Sequence, residues 1–264
     1  MRQLALVLMG LFATSALADG TGLVGMQTAD EAKGWQAVGR IVLGDSGFCT
    51  GTLIAPQLVL TAGHCLFDKD TGARFPDDKI TFQAGWRNGR AEAYRSVGRS
   101  VPHPDYIFSG DDDLGRVAYD VALLELDQPI MLPQLQPFST DVRPDNGAAV
   151  SVVSYAKDRS EAPSIEEGCA VLSAADPALI LNCDIDFGSS GAPVFSVSDG
   201  VAKVVSVISA KAEMEGTKVA LAVPLEAQLT ALMAELESGA PAHKSTGVRV
   251  ISGGGSTGAK FVSP

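Results

Sequence analysis

Short apolar runs, each ended by turn-forming residues, dominate this sequence of 264 residues. Runs rich in Val, Ile, Leu and Ala, with Gly, Asp, Asn and Pro between them, are typical of β-strands. Many short strands with few helical stretches indicate an all-β sandwich or barrel. The pattern predicts strands over Val38–Leu43, Gly51–Ala55, Leu58–Ala62, Ile80–Ala84, Val121–Leu126, Val150–Tyr155, Ala170–Leu172, Ala178–Leu181, Pro193–Val197, Val201–Ser209 and Val219–Val223.

One amphipathic helix is predicted near the end of the chain. Its apolar positions recur at helical spacing on one face, with a proline before them and a glycine after them, as expected at helix boundaries. The residues concerned are Pro224, Leu225, Leu229, Leu232, Met233, Leu236 and Gly239.

A proline-rich segment at residues 128–146 divides the predicted strands into two groups of similar size. Repeated prolines are typical of an extended linker. We therefore expect two β domains, at residues 37–130 and 131–237, and the second of them includes the helix. Residues 19–36 form an N-terminal segment, and residues 238–264, rich in Gly, Ser and Ala, form a flexible tail.

The first eighteen residues have the pattern of an export signal. Arg2 supplies a positive charge, Leu4–Leu17 is mostly apolar, and Ala16-Leu17-Ala18 places small residues where a signal peptidase reads them. The apolar run is too short to span the roughly 30 Å of a membrane's hydrocarbon. We expect cleavage after Ala18, a secreted or periplasmic protein, and no membrane attachment after cleavage.

Four cysteines, Cys49, Cys65, Cys169 and Cys183, follow this signal. An even number in an oxidising compartment favours two disulfides. Three pairings exist, and the spacing favours the two local ones, Cys49 with Cys65 and Cys169 with Cys183. The CxxC-like spacing of a zinc site is absent. The acidic run at residues 111–113 is more typical of a solvated turn than of a calcium site. We expect neither metal nor cofactor.

The chain is acidic, with 20 Lys and Arg against 31 Asp and Glu and a formal net charge of −11. A phosphate backbone or an anionic membrane repels a surface of the same sign. The composition therefore excludes a broadly basic nucleic-acid-binding protein and disfavours docking on membranes.

Three segments carry a histidine, an aspartate and a serine that belong together chemically. A serine hydroxyl becomes a nucleophile when a neutral imidazole takes its proton, and a buried carboxylate fixes the imidazole tautomer. A glycine two residues before the serine permits a tight turn whose N–H groups point at one oxyanion. The segments are Thr61-Ala62-Gly63-His64-Cys65, Asp120-Val121-Ala122-Leu123-Leu124 and Gly188-Ser189-Ser190-Gly191-Ala192-Pro193.

These motifs resemble the three signatures of the chymotrypsin/trypsin-like serine peptidases, and the resemblance covers about residues 37–236. It implies an all-β chain of two six-stranded antiparallel β-barrels, with the active site in the cleft between them. It also implies that His64 is the general base, Asp120 its orienting carboxylate and Ser190 the nucleophile.

The same resemblance implies that Gly188 and Ser190 supply the N–H groups of an oxyanion hole. Cys49–Cys65 would be the disulfide beside the histidine. Ser189 departs from the animal digestive members, whose aspartate there receives a new N-terminus after zymogen cleavage. Arg40-Ile41 lies too close to Cys49 to be an activation site. The pattern is more similar to the bacterial glutamyl endopeptidase-like branch.

Asp184, Ser209 and Lys211 are the candidates for substrate binding. Asp184, six residues before Ser190, stands where trypsin-like members bind Lys or Arg side chains. A Cys-Asp pair also occurs in bacterial members without that preference, so both interpretations stay open. Ser209 takes the polar position of the strand that lines the substrate groove. Lys211 replaces a glycine at the pocket mouth, where it either narrows the pocket or attracts acidic substrates. Glutamate-specific members use a histidine near this strand, and this chain has none there.

The function expected from these patterns is that of a secreted serine endopeptidase. It would be a monomer that hydrolyses protein or peptide substrates through an acyl-enzyme. The alternative is a binding module on the same fold, with the triad present but the pocket closed, and Ser189 and Lys211 motivate it.

Overall fold

The computed structural model describes residues 22–108 and 114–239. The predicted signal peptide, the acidic run at residues 111–113 and residues 240–264 lie outside this part. Its helices are α1 (Leu114–Val117) and α2 (Leu225–Ser238), with 3₁₀ turns at Gly63–Leu66 and Asp77–Lys79. Its strands are β1 (Leu23–Gly25), β2 (Val38–Leu43), β3 (Phe48–Ala55), β4 (Leu58–Thr61), β5 (Ile80–Ala84), β6 (Ala93–Pro102), β7 (Ala122–Leu126), β8 (Ala149–Ala156), β9 (Arg159–Ser173), β10 (Leu179–Leu181), β11 (Pro193–Ser198), β12 (Val201–Met214) and β13 (Thr217–Pro224).

The first six-stranded barrel is antiparallel and closes in the order β2-β3-β4-β7-β6-β5. Closure requires β2 to pair on both edges, and Ile41 indeed lies opposite Cys49 on β3 and Phe82 on β5. In β5 the alternate residues Ile80, Phe82 and Ala84 are buried. This period of two is what a strand needs when one face covers a core.

The second barrel contains β8 to β13 and closes in the order β8-β9-β10-β13-β12-β11. The pairing of β8 with β9 closes the ring. β1 adds to β9 as well, with Leu23 opposite Glu166 and Gly25 opposite Ser164. The predicted N-terminal segment at residues 19–36 therefore contributes a strand to the sheet of the second domain.

Aromatic side chains pack the two barrels against each other. The rings of Trp35 and Phe195 are 5.0 Å apart, and those of Phe138 and Phe195 are 4.6 Å apart. Phe138 belongs to the proline-rich linker, and its N–H donates to the Leu53 carbonyl at 2.9 Å. The linker is thus fixed to the first barrel while its side chain packs on the second.

Helix α2 ends the described part of the chain, where the amphipathic pattern predicts it. Leu225 and Leu232 are buried. Gly239 follows in the left-handed conformation with φ +66°, which glycine adopts without strain. Arg99 of β6 donates to the carbonyl of Leu236 at 2.8 Å and so binds the last turn of the helix to the first barrel.

The predicted fold class is confirmed: two six-stranded antiparallel barrels are followed by one C-terminal helix. β6 is missing from the predicted strands, and only Ala170–Leu172 of β9 is among them. β6 has no apolar run, because Tyr94, Arg95 and Arg99 separate its buried residues. No helix within the described residues is long and apolar enough to cross a membrane.

Candidate active site

The short 3₁₀ turn after β4 carries His64. Cys65 is bonded to Cys49 of β3, so the turn is covalently attached to the neighbouring strand. The turn is also tightly packed: a Cβ on Gly63 would lie 3.1 Å from the Tyr106 ring and 3.2 Å from Asp120 Oδ1. The backbone around His64 therefore has little freedom.

Asp120, two residues before β7, holds His64 through both carboxylate oxygens. Its Oδ2 lies 2.7 Å from His64 Nδ1, and its Oδ1 accepts the His64 backbone N–H at 2.7 Å. Ser209 of β12 donates its hydroxyl to Oδ2 at 2.5 Å. The carboxylate is buried and receives donors from both barrels.

The pKa of Asp120 results from opposing effects. Burial favours the neutral acid and by itself raises the pKa. The facing His64 and the hydrogen bonds from His64 and Ser209 lower the pKa, and together they outweigh burial. The net result is a pKa below the ordinary value. Asp120 therefore stays ionised and holds the imidazole in one orientation.

Ser190 lies in a tight turn just before β11. Gly188 has φ +96° and Gly191 has φ +78°, a region that residues with a Cβ rarely adopt. A Cβ on Gly191 would also lie 2.2 Å from Thr61 Oγ1 and 2.3 Å from the Thr50 carbonyl. Glycine is thus required at 191 both for conformation and for the close approach of this turn to the first barrel.

Two backbone N–H groups of this turn, those of Gly188 and Ser190, donate no hydrogen bond within the described residues. The preceding carbonyls are occupied: Phe187 O accepts the Lys157 N–H at 2.7 Å, and Ser189 O accepts the Ala192 N–H at 2.9 Å. In a trans peptide the N–H points opposite to the carbonyl. These two contacts therefore fix the directions of the free N–H groups.

Ser189 is fully buried and has polar surroundings. Its hydroxyl lies 3.4 Å from Ser154 Oγ and 3.5 Å from Arg159 Nη2. The guanidinium of Arg159 also donates to the Ser154 carbonyl at 3.0 Å. Burial lowers the pKa of Arg159, and surrounding carboxylates, led by Asp158, oppose that shift. A guanidinium from β9 thus lies beside the turn.

A cavity of about 490 Å³ is lined by Asp186, two residues before Gly188, and by residues that include Arg159, Asp184 and Lys211. The residues of the turn itself, 187–191, are not among those that line it. Lys211 Nζ donates to Asp186 Oδ1 at 2.6 Å and lies 4.4 Å from the centre of the Phe187 ring. The hydrogen bond from Lys211 is the largest cause of the lowered pKa of Asp186.

The predicted catalytic, oxyanion-hole and substrate-binding residues thus fall into three groups. His64, Asp120 and Ser209 form one hydrogen-bonded cluster, Asp184 and Lys211 line the cavity, and Gly188 and Ser190 lie in the turn before β11. Ser209, predicted to take the polar position of the strand that lines the substrate groove, directs its hydroxyl to Asp120 and is not among the residues that line the cavity. The Ser190 hydroxyl makes no hydrogen bond to His64 within the described residues.

The cysteines pair as their spacing favours, Cys49 with Cys65 and Cys169 with Cys183. Each disulfide lies near one other potential metal ligand, His64 in the first case and Glu166 in the second. A disulfide sulfur has no thiolate to offer a metal ion. These two clusters therefore do not fit a metal site.

The model of the trypsin-like peptidase domain matches residues 49–205. The chain belongs to the trypsin-like peptidase family. Rabbit (Oryctolagus cuniculus) coagulation factor IX is 33% identical over 121 residues, which are 43% of this chain and 38% of that protein. The glutamyl endopeptidase of Bacillus licheniformis is 31% identical over 153 residues, 58% of this chain and 46% of that protein. The alignments therefore span less than half the length of these relatives.

A solved structure of a Glu endopeptidase in complex with MPD has the same fold. It superposes on this trypsin-like chain with a TM-score of 0.67 at 20% identity, and the match covers 82% of this chain and 97% of that one. The predicted resemblance to the chymotrypsin/trypsin-like peptidases, and to their glutamyl endopeptidase-like members, is confirmed.

Sequence reasoning on this trypsin-like chain did not find Thr50, Lys157 or Arg159. Thr50 hydrogen-bonds the turn of Ser190 from β3, and Lys157 and Arg159 reach it from the β8–β9 hairpin. Each contact joins residues at least thirty positions apart along the chain. A threonine in a strand or a charged residue in a hairpin turn carries no local signal for such a contact.

We expect Ser209→Ala to raise the pKa of Asp120, because the variant lacks one hydrogen bond to the carboxylate. A carboxyl whose pKa is lowered in the folded state stabilises the protein at pH values above its ordinary pKa. That stabilisation is lost as the pH falls through the folded-state pKa. The variant should therefore lose it at a higher pH than the wild type. Carboxyl ¹³C NMR titration and urea unfolding at several pH values measure both effects.

Ser206→Ala is the matched control on the same strand, because the Ser206 hydroxyl donates to the Val223 carbonyl at 2.6 Å. It should leave the Asp120 titration unchanged. Equal titration curves for wild type and Ser209→Ala would contradict the assigned contact.

Proposed function

We propose that this chain is a serine endopeptidase with His64, Asp120 and Ser190 as its catalytic triad. The observation that carries the proposal is the two-point contact of Asp120 with His64. Beside it, the turn of Ser190 is hydrogen-bonded to the first barrel through Thr50 and has two N–H groups that are unpaired within the described residues. A buried carboxylate on Nδ1 leaves Nε2 as the basic nitrogen. Free N–H donors beside a serine are what a tetrahedral oxyanion requires.

In the proposed reaction the Ser190 oxygen attacks the substrate carbonyl carbon while His64 Nε2 takes the hydroxyl proton. The carbonyl oxygen becomes an oxyanion and is bound by the N–H groups of Gly188 and Ser190. The imidazolium then protonates the leaving amine as the peptide bond breaks, which leaves an acyl-enzyme. Water, deprotonated by His64, releases the acid and restores the serine. Contacts such as Ser190 to His64 commonly tighten only when substrate is bound.

The competing function is a peptide-binding module with a closed pocket, which the ion pair of Lys211 with Asp186 favours. The two functions differ in one property of Ser190. A working triad and oxyanion hole make this serine react with an organophosphonate, whereas a collapsed hole leaves it unreacted.

Ser190→Ala is expected to lower the hydrolysis of casein and peptide substrates by several orders of magnitude, because it removes the nucleophile. Organophosphonate should label the wild type at Ser190 and leave the variant unlabelled, as measured by mass spectrometry of the intact protein. Ser198→Ala, on the exposed end of β11, is the control and should keep wild-type rates. Equal hydrolysis by wild type and Ser190→Ala would refute the proposal.

We also propose that the 490 Å³ cavity binds the substrate side chain next to the scissile bond. Asp184 is exposed within it, and Lys211 is paired with Asp186. The carboxylate of Asp184 attracts cationic substrate side chains and repels anionic ones, and the ammonium of Lys211 does the reverse.

Asp184→Asn should therefore shift cleavage from basic towards acidic side chains by roughly tenfold, and Lys211→Met should shift it the other way by roughly tenfold. Profiling on a peptide library measures both preferences together. Asp199→Asn, in the exposed β11–β12 turn, is the charge-matched control outside the cavity. Unchanged profiles for both cavity variants would show that this cavity is not the specificity pocket.

We propose further that the chain is exported and acts outside the cytoplasm on proteins or peptides. The signal pattern at residues 1–18 and the two disulfides support this proposal. Protein recovered from the medium or periplasm should begin at Asp19 by N-terminal sequencing. Ala18→Arg should block that cleavage, and retention of Met1 in the exported wild type would contradict it.

A further inference from the structure

Thr50 connects the turn that carries Ser190 to the first barrel. It lies in β3 directly after Cys49 and is fully buried. Its hydroxyl donates to the Gly188 carbonyl at 2.8 Å, and its N–H donates to the Ser190 carbonyl at 2.8 Å. Both ends of the turn that carries the nucleophile are therefore held by one residue of the other barrel.

The same residue is connected to the strand that leads to the histidine. The Thr50 carbonyl accepts the hydroxyl of Thr61 at 2.9 Å, and Thr61 ends β4 three residues before His64. On the other side the Thr50 hydroxyl accepts the backbone N–H of Tyr155 at 3.1 Å. A continuous path of hydrogen bonds thus runs from the first barrel through Thr50 into the second.

We propose that Thr50 is a positioning residue whose hydroxyl sets where the Gly188–Ser190 turn lies relative to His64. The proposal rests on the serine endopeptidase function proposed above. Thr50 itself touches neither the substrate nor the reacting atoms. It acts through the Gly188 and Ser190 carbonyls, and so through the placement of the nucleophile and of the two oxyanion donors.

The Thr50 hydroxyl makes two hydrogen bonds that no backbone group of Thr50 makes, those to the Gly188 carbonyl and from the Tyr155 N–H. Without it the half-buried Gly188 carbonyl and the buried Tyr155 N–H lose their shared partner, and leaving a buried donor unpaired is costly. The contacts of Lys157 with Phe187 and of Ala192 with Ser189 remain. The turn would therefore keep its shape but shift relative to the first barrel. A displacement of the nucleophile by about 1 Å is enough to slow catalysis.

The test compares Thr50→Val, which removes the hydroxyl, with Thr50→Ser, which keeps it. Thr50→Val should lower kcat on the order of 10- to 100-fold, with KM within about threefold of wild type, because the loss falls on the transition state. Affinity for a peptide boronic acid, which forms a tetrahedral adduct, should fall in parallel with kcat. Affinity for the cleaved product peptide should not fall. Thr50→Ser should restore wild-type kcat.

Thr52→Val is the matched control on the same strand. Thr52 is equally buried, and its hydroxyl has no hydrogen-bond partner within the described residues. Its replacement should leave kcat unchanged. Should Thr50→Val not fold, Thr50→Ala gives the same readouts without a second methyl group in the site.

Two results would count against the proposal in different ways. A wild type that hydrolyses peptides, together with a folded Thr50→Val variant of unchanged kcat and boronic acid affinity, would overturn the role of Thr50 alone. A wild type that neither hydrolyses peptides nor reacts with organophosphonate would overturn the endopeptidase function and this inference with it.

Discussion

A buried carboxylate is the interaction on which the arrangement of this site depends. Transferring an unpaired charge into a protein interior is costly, so Asp120 is tolerated there only because donors surround it. Two of them come from His64 of the first barrel and one from Ser209 of the second. The two barrels must therefore meet at Asp120 for the charge to be satisfied. Docking of the barrels and ionisation of the carboxylate stabilise each other.

The sequence was informative where the relevant signal is local. His64, Asp120 and Ser190 each lie within a short motif, so each could be named as a candidate before any coordinates, and the structure brings His64 and Asp120 into contact. The alternation of β5 and the apolar run of β7 predicted strands in the same way. The role of Thr50 could not be predicted, because its partner Gly188 lies 138 positions away. β6 was missed for another reason: Tyr94, Arg95 and Arg99 interrupt its buried positions, so neither an apolar run nor a regular alternation marks the strand.

Ser189 illustrates how the turn can be supported without a carboxylate at that position. Its hydroxyl lies among Ser154, Tyr155 and Arg159, all from the β8–β9 hairpin, and the Lys157 N–H of the same hairpin holds the Phe187 carbonyl. The contacts of Ser189 are therefore internal to the second barrel, whereas Thr50 connects the turn to the first. Ile41, by contrast, is buried, and its strand β2 is paired on both edges. Cleavage before Ile41 could therefore release a new N-terminus only if the first barrel opened.

Arg159 of the same hairpin also affects the charge of the 490 Å³ cavity that it lines. The guanidinium of Arg159 lies near Asp158, Asp184 and Asp186, and Lys211 pairs with Asp186. Part of the negative charge that would otherwise attract a basic side chain is thus already neutralised by the protein. Asp186 is 48% exposed and Lys211 25% exposed, so water screens this pair and its net stabilisation is small. A weak pair across a cavity can exchange partners with a substrate side chain at little cost. In the specificity role proposed for this cavity, selectivity would then depend on which charge the substrate offers rather than on the shape of the cavity alone.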